Sequence, residues 1–206
     1  MPYDPGKNYQ MSKQTDSFYN RFSGLYPLVD VFLRSQKKVL FNEINQLPEG
    51  NLLEIGVGNG AHFNLYKKHR VIGIDTSASM LKVARKHCNE RIMVLEMNGE
   101  RLFFEDNKFD YVVLSHVIAV VDHPEQLLNE VLRVLKPQGQ MFIINHFTPD
   151  NWLGCVDNAF QRVSKLLHFR SVFFIHQIAA IKNFTLIKEV SLGIASYFKL
   201  LIYQKG

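Results

Sequence analysis

Three glycines at alternate positions, Gly56, Gly58 and Gly60, follow the acidic residue Glu54 at the end of a short apolar run. Fifteen residues after Gly60, a second apolar run ends at Asp75. A glycine turn between a strand and a helix lets a ligand lie against bare backbone near the helix N-terminus. An acid at the tip of the neighbouring strand can accept hydrogen bonds from both hydroxyls of a ribose. These residues predict a nucleoside pocket at the carboxyl ends of parallel strands.

The glycines alone leave the identity of the nucleoside open, because residues 56–61 also satisfy the G-x-G-x-x-[GA] pattern of dinucleotide-binding proteins. Three neighbouring features favour another cofactor. Glu54 directly precedes the loop, where a carboxylate can hold a cationic amine. Asn98, Gly99 and Glu100 follow the third apolar run and can read an adenine edge. In addition, no second mononucleotide-binding half follows the first.

Polar residues close two further apolar runs. Ser115 and His116 end the fourth run, and His146 ends the fifth. Because burying an unpaired polar group costs free energy, polar residues at these points favour a site over core packing. For His116, a structural hydrogen-bonding role is the alternative. Thr76 and Met80, just after the second run, are candidate walls of an adenine pocket, although Met80 also suits a core position.

Short β-rich runs alternate with helical patterns from Asn51 onward, which predicts a parallel sheet covered on both faces. The predicted strands lie near 51–56, 70–74, 91–96, 109–114 and 139–145, and the predicted helices near 60–68, 77–88 and 124–135. A turn at 137–139 leads into the fifth strand. Beyond residue 146 the pattern predicts a helix over 151–167 and two strands, 184–190 and 197–203, linked around Gly193.

Four segments in order along residues 51–146 resemble the Rossmann-like S-adenosylmethionine-dependent methyltransferases. They are the glycine loop, the Asn98–Glu100 segment, residues 102–110 (LFFEDNKFD, similar to the family's LPFxDxxFD) and residues 134–140 (VLKPQGQ, similar to its xLKPGGxL turn, with Gln138 replacing the first glycine). The resemblance implies S-adenosyl-L-methionine as the cofactor. It also implies an α/β Rossmann-like methyltransferase fold, with a mostly parallel seven-stranded sheet, helices on both faces and a C-terminal β-hairpin.

The resemblance also implies roles for the residues at the strand ends. The glycine loop wraps the amino-acid half of the cofactor, with Glu54 near its amine, and Asp75 binds the ribose, caps the following helix, or does both. Ser115 and His116 lie where the family places cofactor and acceptor groups, and His146 lies beside the acceptor. Methyl transfer depends mainly on in-line positioning. A nitrogen acceptor must also lose a proton, which a carboxylate, a histidine, a tyrosine or a water molecule can take.

A narrower resemblance concerns the acceptor. Residues 117–124 (VIAVVDHP), 143–147 (IINHF) and 167–173 (LHFRSVF) are similar to segments of the bacterial soluble-type phosphatidylethanolamine N-methyltransferases. This resemblance implies methylation of the lipid headgroup amine toward phosphatidylcholine. The first-helix tyrosines of those enzymes correspond to Tyr19 and Tyr26, which join His116 and His146 as catalytic candidates. Aromatic rings suit a quaternary amine, although the tyrosines also suit the interior of a helical segment.

The segment before the first strand has a helical pattern that is separate from that of the sheet domain. We predict an irregular leader over residues 1–12, a helical lid over 13–47 and the cofactor-binding domain over 48–206. Apolar residues recur in the lid at helical spacing, and the basic residues around them are Lys13, Arg21, Arg34, Lys37 and Lys38. Such a segment packs on the sheet as an ordinary lid, touches anionic lipid, or does both.

Length and composition limit the number of domains, the kinds of partner and the cellular location. A chain of 206 residues suits one domain, and its net charge of +5 favours an anionic partner. Two cysteines, Cys88 and Cys155, each in a predicted helix, make no disulfide framework, and no cluster of metal ligands is visible. No apolar run reaches the roughly 20 residues that span a bilayer. We therefore predict a cytoplasmic protein with a lipid or small-molecule acceptor, peripheral contact with an anionic membrane, and neither nucleic acid nor metal as a partner.

Three other functions stay open at this point. The first is a methyltransferase that acts on a soluble small metabolite or a quinone ring, for which lipid vesicles have no effect. The second is a protein that binds S-adenosylmethionine without catalysis. The third is a nicotinamide-dependent oxidoreductase, which the glycine pattern alone also permits.

Overall fold

A seven-stranded sheet forms the centre of the protein. The structure, a computed structural model, describes residues 37–146, 175–192 and 198–206. The strands are β1 (Asn51–Ile55), β2 (Arg70–Asp75), β3 (Ile92–Glu96), β4 (Phe109–Ser115), β5 (Leu135–His146), β6 (Phe184–Ser191) and β7 (Phe198–Lys205). Their order in the sheet is β3-β2-β1-β4-β5-β7-β6. Strands β1 to β5 are parallel, and β7 runs antiparallel to both of its neighbours. The predicted sheet and its C-terminal hairpin are confirmed.

Helices cover both faces of this sheet. The first, α1, includes residues 37–46, and α2 (Ala78–Ala84) and α3 (Pro124–Val134) follow. In α3 the buried residues Leu127, Leu128, Val131 and Val134 form one apolar stripe, and Pro124 sits in the first turn, where its missing N–H leaves no bond unmade. Helix α2 begins after Ser77, whose Oγ accepts a hydrogen bond from the Met80 N–H at 3.3 Å.

The core is divided between the two faces by the alternation of side chains along each strand. Leu53 of β1 packs in the cluster that contains α3, while its neighbour Leu52 packs in the cluster that contains α1 and α2. Both leucines are fully buried. Burying such a side chain contributes roughly 1.5–3 kcal/mol, so a one-residue slip of β1 would be strongly unfavourable. This register fixes where the carboxyl end of β1 meets the glycine loop.

Arg133 in the last turn of α3 holds the segment between β3 and β4. Its guanidinium donates hydrogen bonds to the carbonyls of Phe104 (2.7 Å) and Leu102 (3.0 Å) and to the carboxylates of Asp106 and Glu130. The hydrogen bond from Arg133 is the main cause that lowers the pKa of Glu130. These contacts give the LFFEDN segment a structural role, since they anchor the loop that carries Asn98 and Glu100.

The helix predicted over residues 60–68 is wrong. A single 3-10 turn, Phe63–Leu65, stands in its place. The backbone bonds here join residues three apart, as in the Phe63 N–H to Gly60 carbonyl bond of 3.0 Å. Because β2 already begins at Arg70, the chain must extend again after one turn. The glycine loop is therefore not followed by the regular helix N-terminus that the sequence suggested.

Two other boundaries differ from prediction. The helix predicted over 77–88 ends at Ala84 and continues as a 3-10 turn, so that Cys88 directly follows the helical residues instead of lying within them. Strand β5 already begins at Leu135, and the predicted turn at 137–139 is a local irregularity within its pairing to β4. The irregularity coincides with Gln138, whose φ of 62° is left-handed.

By its internal contacts the chain divides into two compact units, Met1–Lys37 and Lys38–Gly206, and the second contains the sheet. The predicted leader, most of the predicted lid, the helix over 151–167, Cys155 and the Gly193 link lie outside the described residues. Among the described helices, none is long and apolar enough to cross a membrane.

Candidate functional site

The glycine loop leaves β1 in a conformation that favours glycine at all three positions. The φ angles of Gly56, Gly58 and Gly60 are 78°, 56° and 67°, in the left-handed region where other residues are strained. A Cβ at Gly56 would collide with Val117, and one at Gly60 would lie 2.7 Å from the ring of Phe63. At Gly58, by contrast, a Cβ would meet no atom of the described residues within 4 Å. Gly58 is thus the position where bare backbone faces open space.

Asp75, at the carboxyl end of β2, is bonded to this loop. Its Oδ2 accepts a hydrogen bond from the Gly58 N–H at 2.8 Å, and its Oδ1 accepts one from the Ser77 N–H at 2.9 Å. The carboxylate therefore ties the loop to the start of α2. Each carboxylate oxygen can accept a second hydrogen bond, so the group retains capacity for hydroxyl donors. The structure brings together the glycine loop and the acid, through residues that are 17 positions apart in the sequence.

Glu54 is held in a buried network on the other side of the loop. The residue is 1% exposed, and its Oε2 accepts a hydrogen bond from the Tyr66 hydroxyl at 2.9 Å. His62 Nε2 lies 2.8 Å from Oε1 and 3.0 Å from Oε2. Burial, with the added effect of the Glu54 charge, raises the pKa of Tyr66 well above its ordinary value. The phenol is consequently a hydrogen-bond donor at neutral pH.

Sequence reasoning missed His62 and Tyr66. Both are buried, and they share one side of the 3-10 turn with Phe63. The available signal was a histidine and a tyrosine four residues apart, on the apolar face of the segment that follows the loop. The predicted contact of Glu54 with a cofactor amine stays a prediction, since the described contacts of its carboxylate are with these two side chains.

The predicted adenine residues lie on two neighbouring segments. Asn98 is exposed and its Oδ1 accepts a hydrogen bond from the Glu100 N–H at 2.8 Å, while Glu100 Oε1 accepts one from the His123 N–H at 2.8 Å. A Cβ at Gly99 would lie 2.7 Å from the Ile55 side chain, so packing explains this glycine. Thr76 is exposed and Met80 half-buried on the segment that opens α2.

Ser115 and His116 close β4 beside the end of β1, because these two strands are neighbours. The Ser115 Oγ is buried and has no hydrogen-bond partner among the described residues. His116 has a φ of 60°, an uncommon conformation for a residue other than glycine, and strain of this kind clusters at functional sites. Its N–H donates to the Ile144 carbonyl at 2.8 Å, and its ring meets Phe198 edge-on at 6.1 Å.

The other catalytic candidates are less fully placed. His146 is the last residue of β5, next to the end of β4 in the sheet, which agrees with its predicted position in the backbone. Tyr19 and Tyr26 lie outside the described residues. Among the residues that the structure describes, no group of three or more histidine, cysteine, aspartate and glutamate side chains is arranged to hold a metal ion.

Two surface cavities of about 410 and 510 Å³ lie elsewhere, at the amino-terminal ends of the strands. Arg91 and Glu90 line both. Neither cavity is lined by a residue that the sequence analysis assigned to the site. The chemistry of the carboxyl edge, and not the size of these cavities, identifies the candidate site.

The carboxyl edge fits a nucleoside cofactor with an amino-acid tail. Gly58 offers backbone against open space, and Asp75 beside it retains acceptor capacity for a ribose. Ser115 adds a buried hydroxyl that still lacks a partner among the described residues. These donors and acceptors are compatible with S-adenosylmethionine.

Comparisons with known proteins agree with this chemistry. The family model described as a methyltransferase domain matches residues 53–143. A phosphatidylethanolamine N-methyltransferase of Cereibacter sphaeroides is 33% identical over 164 residues, which cover 76% of this chain and 80% of that protein. A ubiquinone/menaquinone biosynthesis C-methyltransferase of Pseudomonas putida is 29% identical over 159 residues, 70% of this chain and 62% of that one. The crystal structure of an S-adenosylmethionine-dependent methyltransferase from Thermotoga maritima is 25% identical, with a TM-score of 0.67 over 92% of this chain and 99% of its own.

The predicted reaction class and cofactor are therefore confirmed. The protein is an enzyme that transfers a methyl group from S-adenosyl-L-methionine to an acceptor. Both the strand order and the loop at the end of β1 accord with that activity. The chain belongs to the Rossmann-like S-adenosylmethionine-dependent methyltransferases.

Proposed function

We propose that the methyl acceptor is the headgroup amine of phosphatidylethanolamine, which is methylated toward phosphatidylcholine. The observation that carries this proposal is the similarity to the Cereibacter sphaeroides enzyme, which extends over 80% of that protein. The net charge of +5 supports it, since a phospholipid headgroup carries a phosphate and lies in an often anionic surface.

We assign the cofactor contacts to the carboxyl edge of the sheet. Gly56, Gly58 and Gly60 would carry the amino-acid half along the loop, and Asp75 would accept the ribose hydroxyls. The proposed adenine side consists of Thr76, Met80, Asn98, Gly99 and Glu100, and Ser115 would bond the cofactor from β4. This assignment is supported by the open space at Gly58 and by the acceptor capacity that remains on Asp75.

Bound S-adenosylmethionine supplies an electrophilic methyl group on a sulfonium. The chain's contribution is to hold the acceptor amine in line with it at about 3–3.5 Å, because positioning supplies much of the rate acceleration. The amine must also be unprotonated to expose its lone pair. We propose that His116 or His146 takes this proton, with Tyr19 and Tyr26 on the acceptor side. The strained backbone of His116 supports a functional role for that residue.

Transfer of radiolabel from S-adenosylmethionine into lipid tests the acceptor. The full chain is incubated with vesicles that contain phosphatidylethanolamine, and the products are separated by headgroup. We expect label in methylated phosphatidylethanolamine. Vesicles of phosphatidylcholine alone are the matched control and should take up none, because their amine is already quaternary. Absence of label from both, with turnover on another acceptor, contradicts the lipid assignment.

A second candidate acceptor is a quinone ring, which the similarity to the Pseudomonas putida C-methyltransferase favours. A carbon nucleophile needs no free amine, and lipid vesicles that lack a quinone would not be labelled. Running the same assay on a total lipid extract separates the two, because quinones and amine phospholipids migrate apart. Label in the quinone fraction alone would support this second acceptor.

A further inference from the structure

The buried hydrogen bonds that His62 and Tyr66 make with Glu54 have no role in the proposed function above. Glu54 lies in β1, one residue before its last residue Ile55 and the glycine loop, and the other two residues follow the loop. Their hydrogen bonds of 2.8–3.0 Å therefore join the two ends of the loop to each other. The exposed fractions are 1% for Glu54 and 8% for each of the others, so the bonds are shielded from water.

The local backbone explains why such a tie is needed. The loop contains three glycines, each left-handed in the folded protein. Because glycine has more conformational freedom than other residues in the unfolded chain, fixing the loop costs more conformational entropy. A regular helix after the loop would fix its far end through a ladder of backbone bonds, but only one 3-10 turn is present. Buried hydrogen bonds to a charged acceptor are worth more than ordinary ones, roughly 1.5–3 kcal/mol. Side-chain hydrogen bonds to Glu54 thus restrain the far end of the loop, where the backbone makes no helical hydrogen-bond ladder.

We propose that His62 and Tyr66 are positioning residues that act through Glu54 to hold the glycine loop in its cofactor-binding form. The proposal rests on the cofactor assignment of the preceding section. Glu54 is almost fully buried, and two neighbouring side chains engage its carboxylate. The contacts of Glu54 with His62 and Tyr66 therefore mainly stabilise the conformation of the glycine loop. The effect reaches the ribose side as well, because the Gly58 N–H is bonded to Asp75 at 2.8 Å.

Tyr66→Phe is the central variant, since it removes only the hydroxyl and keeps the ring that packs edge-on against Phe41 at 4.8 Å. Tyr111→Phe is its matched control. Tyr111 is also 8% exposed and lies in the same core cluster, but its hydroxyl donates to the Pro48 carbonyl at 3.1 Å. Both variants remove the hydroxyl hydrogen bond of a buried tyrosine, although the Tyr111 bond is itself only partly buried. They differ in whether that bond reaches the loop.

The measurement is calorimetric binding of two ligands to the full chain: S-adenosylhomocysteine, and 5′-methylthioadenosine, which lacks the amino-acid end. We expect Tyr66→Phe to weaken both by about tenfold or more, whereas Tyr111→Phe stays within about twofold of the parent. His62→Phe, which removes the ring nitrogen that contacts Glu54, should behave like Tyr66→Phe. In turnover, the KM for the cofactor should rise while the KM for the acceptor stays unchanged.

Other outcomes overturn the proposal in distinguishable ways. A loss confined to S-adenosylhomocysteine means that Glu54 contacts the amine directly and does not act through the loop. Equal losses in Tyr66→Phe and Tyr111→Phe mean that the network contributes only general stability. If the parent itself binds neither ligand, the cofactor assignment fails, and the positioning role fails with it.

Discussion

Asp75, at the end of β2, has a structural role in addition to its proposed role in binding the ribose. Its oxygens accept the N–H groups of Gly58 and Ser77, so the residue orders the loop and the start of α2 before any ligand is considered. Four lone-pair sites on the carboxylate leave room for ribose hydroxyls as well. A substitution here should therefore change stability and affinity together. The two effects must be measured separately.

We expect Asp75→Ala to weaken S-adenosylhomocysteine binding by roughly 2–4 kcal/mol, about 30- to 1000-fold in Kd, because two bonds to a charged acceptor are lost. Titration calorimetry measures the affinity, and thermal unfolding without ligand measures the accompanying loss of stability. Ser77→Ala is the control: it removes the cap of α2, costs about 1 kcal/mol in stability, and leaves the carboxylate in place. Unchanged affinity in Asp75→Ala would rule out the ribose contact.

The second and third glycines of the loop allow a comparison between ligand space and packing. Gly58 and Gly60 have φ angles of 56° and 67°, so an alanine at either carries a similar left-handed strain of about 1–2 kcal/mol. Only the Gly60 Cβ would meet the core, 2.7 Å from Phe63, at an added overpacking cost of about 1–3 kcal/mol. Alanine is a better probe than valine, since a branched side chain is strained further at positive φ.

We accordingly expect Gly58→Ala to lose more than about tenfold in cofactor affinity, because its methyl group enters the ligand's volume. Gly60→Ala should have the lower melting temperature of the two without ligand. Thermal unfolding with and without S-adenosylhomocysteine gives both quantities in one series. If Gly58→Ala retains the parent's affinity, the open side of the loop does not face the cofactor.

At the scale of elements, the strands were predictable because each is a short β-branched or apolar run bounded by turn residues. The five parallel strands and the hairpin follow that pattern to within a few residues. The segment after the loop was not, since the spacing of its buried residues, His62, Phe63 and Tyr66, suits a 3-10 turn as well as an α-helix. The spacing of apolar residues shows which face of the segment is buried. It does not show the length of the helical turn, which is limited because β2 begins soon after it.

The site shows a similar division. The glycines and Asp75 were predictable because their residue types carry the chemistry in a fixed order along the chain. The partners of Glu54 were not, because a histidine and a tyrosine in an apolar pattern read as ordinary core. For Gly99, which is predicted as a ligand contact, close packing against Ile55 is a second reason for a glycine. Sequence spacing does not distinguish a glycine that meets a ligand from one that meets a leucine or an isoleucine.

Gln138 in β5 is an element-scale case with a stability consequence. Its φ is 62° and its side chain is exposed, at a turn where the resemblance expects glycine. Gln138→Gly should stabilise the protein by roughly 0.5–1 kcal/mol, because relief of about 1–2 kcal/mol of strain exceeds the added entropy of the unfolded chain. Denaturant unfolding measures this gain. Gln140→Gly, in the regular part of the same strand, should destabilise instead, and a gain in both variants would contradict the strain argument.

At the scale of the whole molecule, the net positive charge favours binding to an anionic partner. We propose that Lys37 and Lys38, together with the basic residues that precede them in the sequence, contact anionic lipid. Each basic residue near an anionic surface contributes on the order of 1 kcal/mol, and salt screens the effect. Neutralising Lys37 and Lys38 together should therefore reduce vesicle binding roughly tenfold or more at low salt.

Co-sedimentation with anionic vesicles measures this binding, alongside turnover on vesicle-bound and short-chain, soluble phosphatidylethanolamine. Turnover on the soluble form should change little. The adjacent pair Lys67 and Lys68, neutralised in the same way, provides a control with the same loss of charge at another place. Equal losses from the two pairs would attribute vesicle binding to net charge, and parental binding by the Lys37/Lys38 variant would assign those residues to a solvated face.

The place of β7 between β5 and β6 dictates an order of assembly. Strand β6 precedes β7 in the chain, yet within the described sheet it pairs with β7 alone. It can therefore join only together with β7 or after it, so a segment synthesised earlier waits for a later one. Until β7 arrives, the outer edge of β5 offers a row of unpaired backbone groups to any other chain. A chain interrupted before Phe198 would consequently combine a nearly complete core with an open edge, the form of this protein most inclined to aggregate.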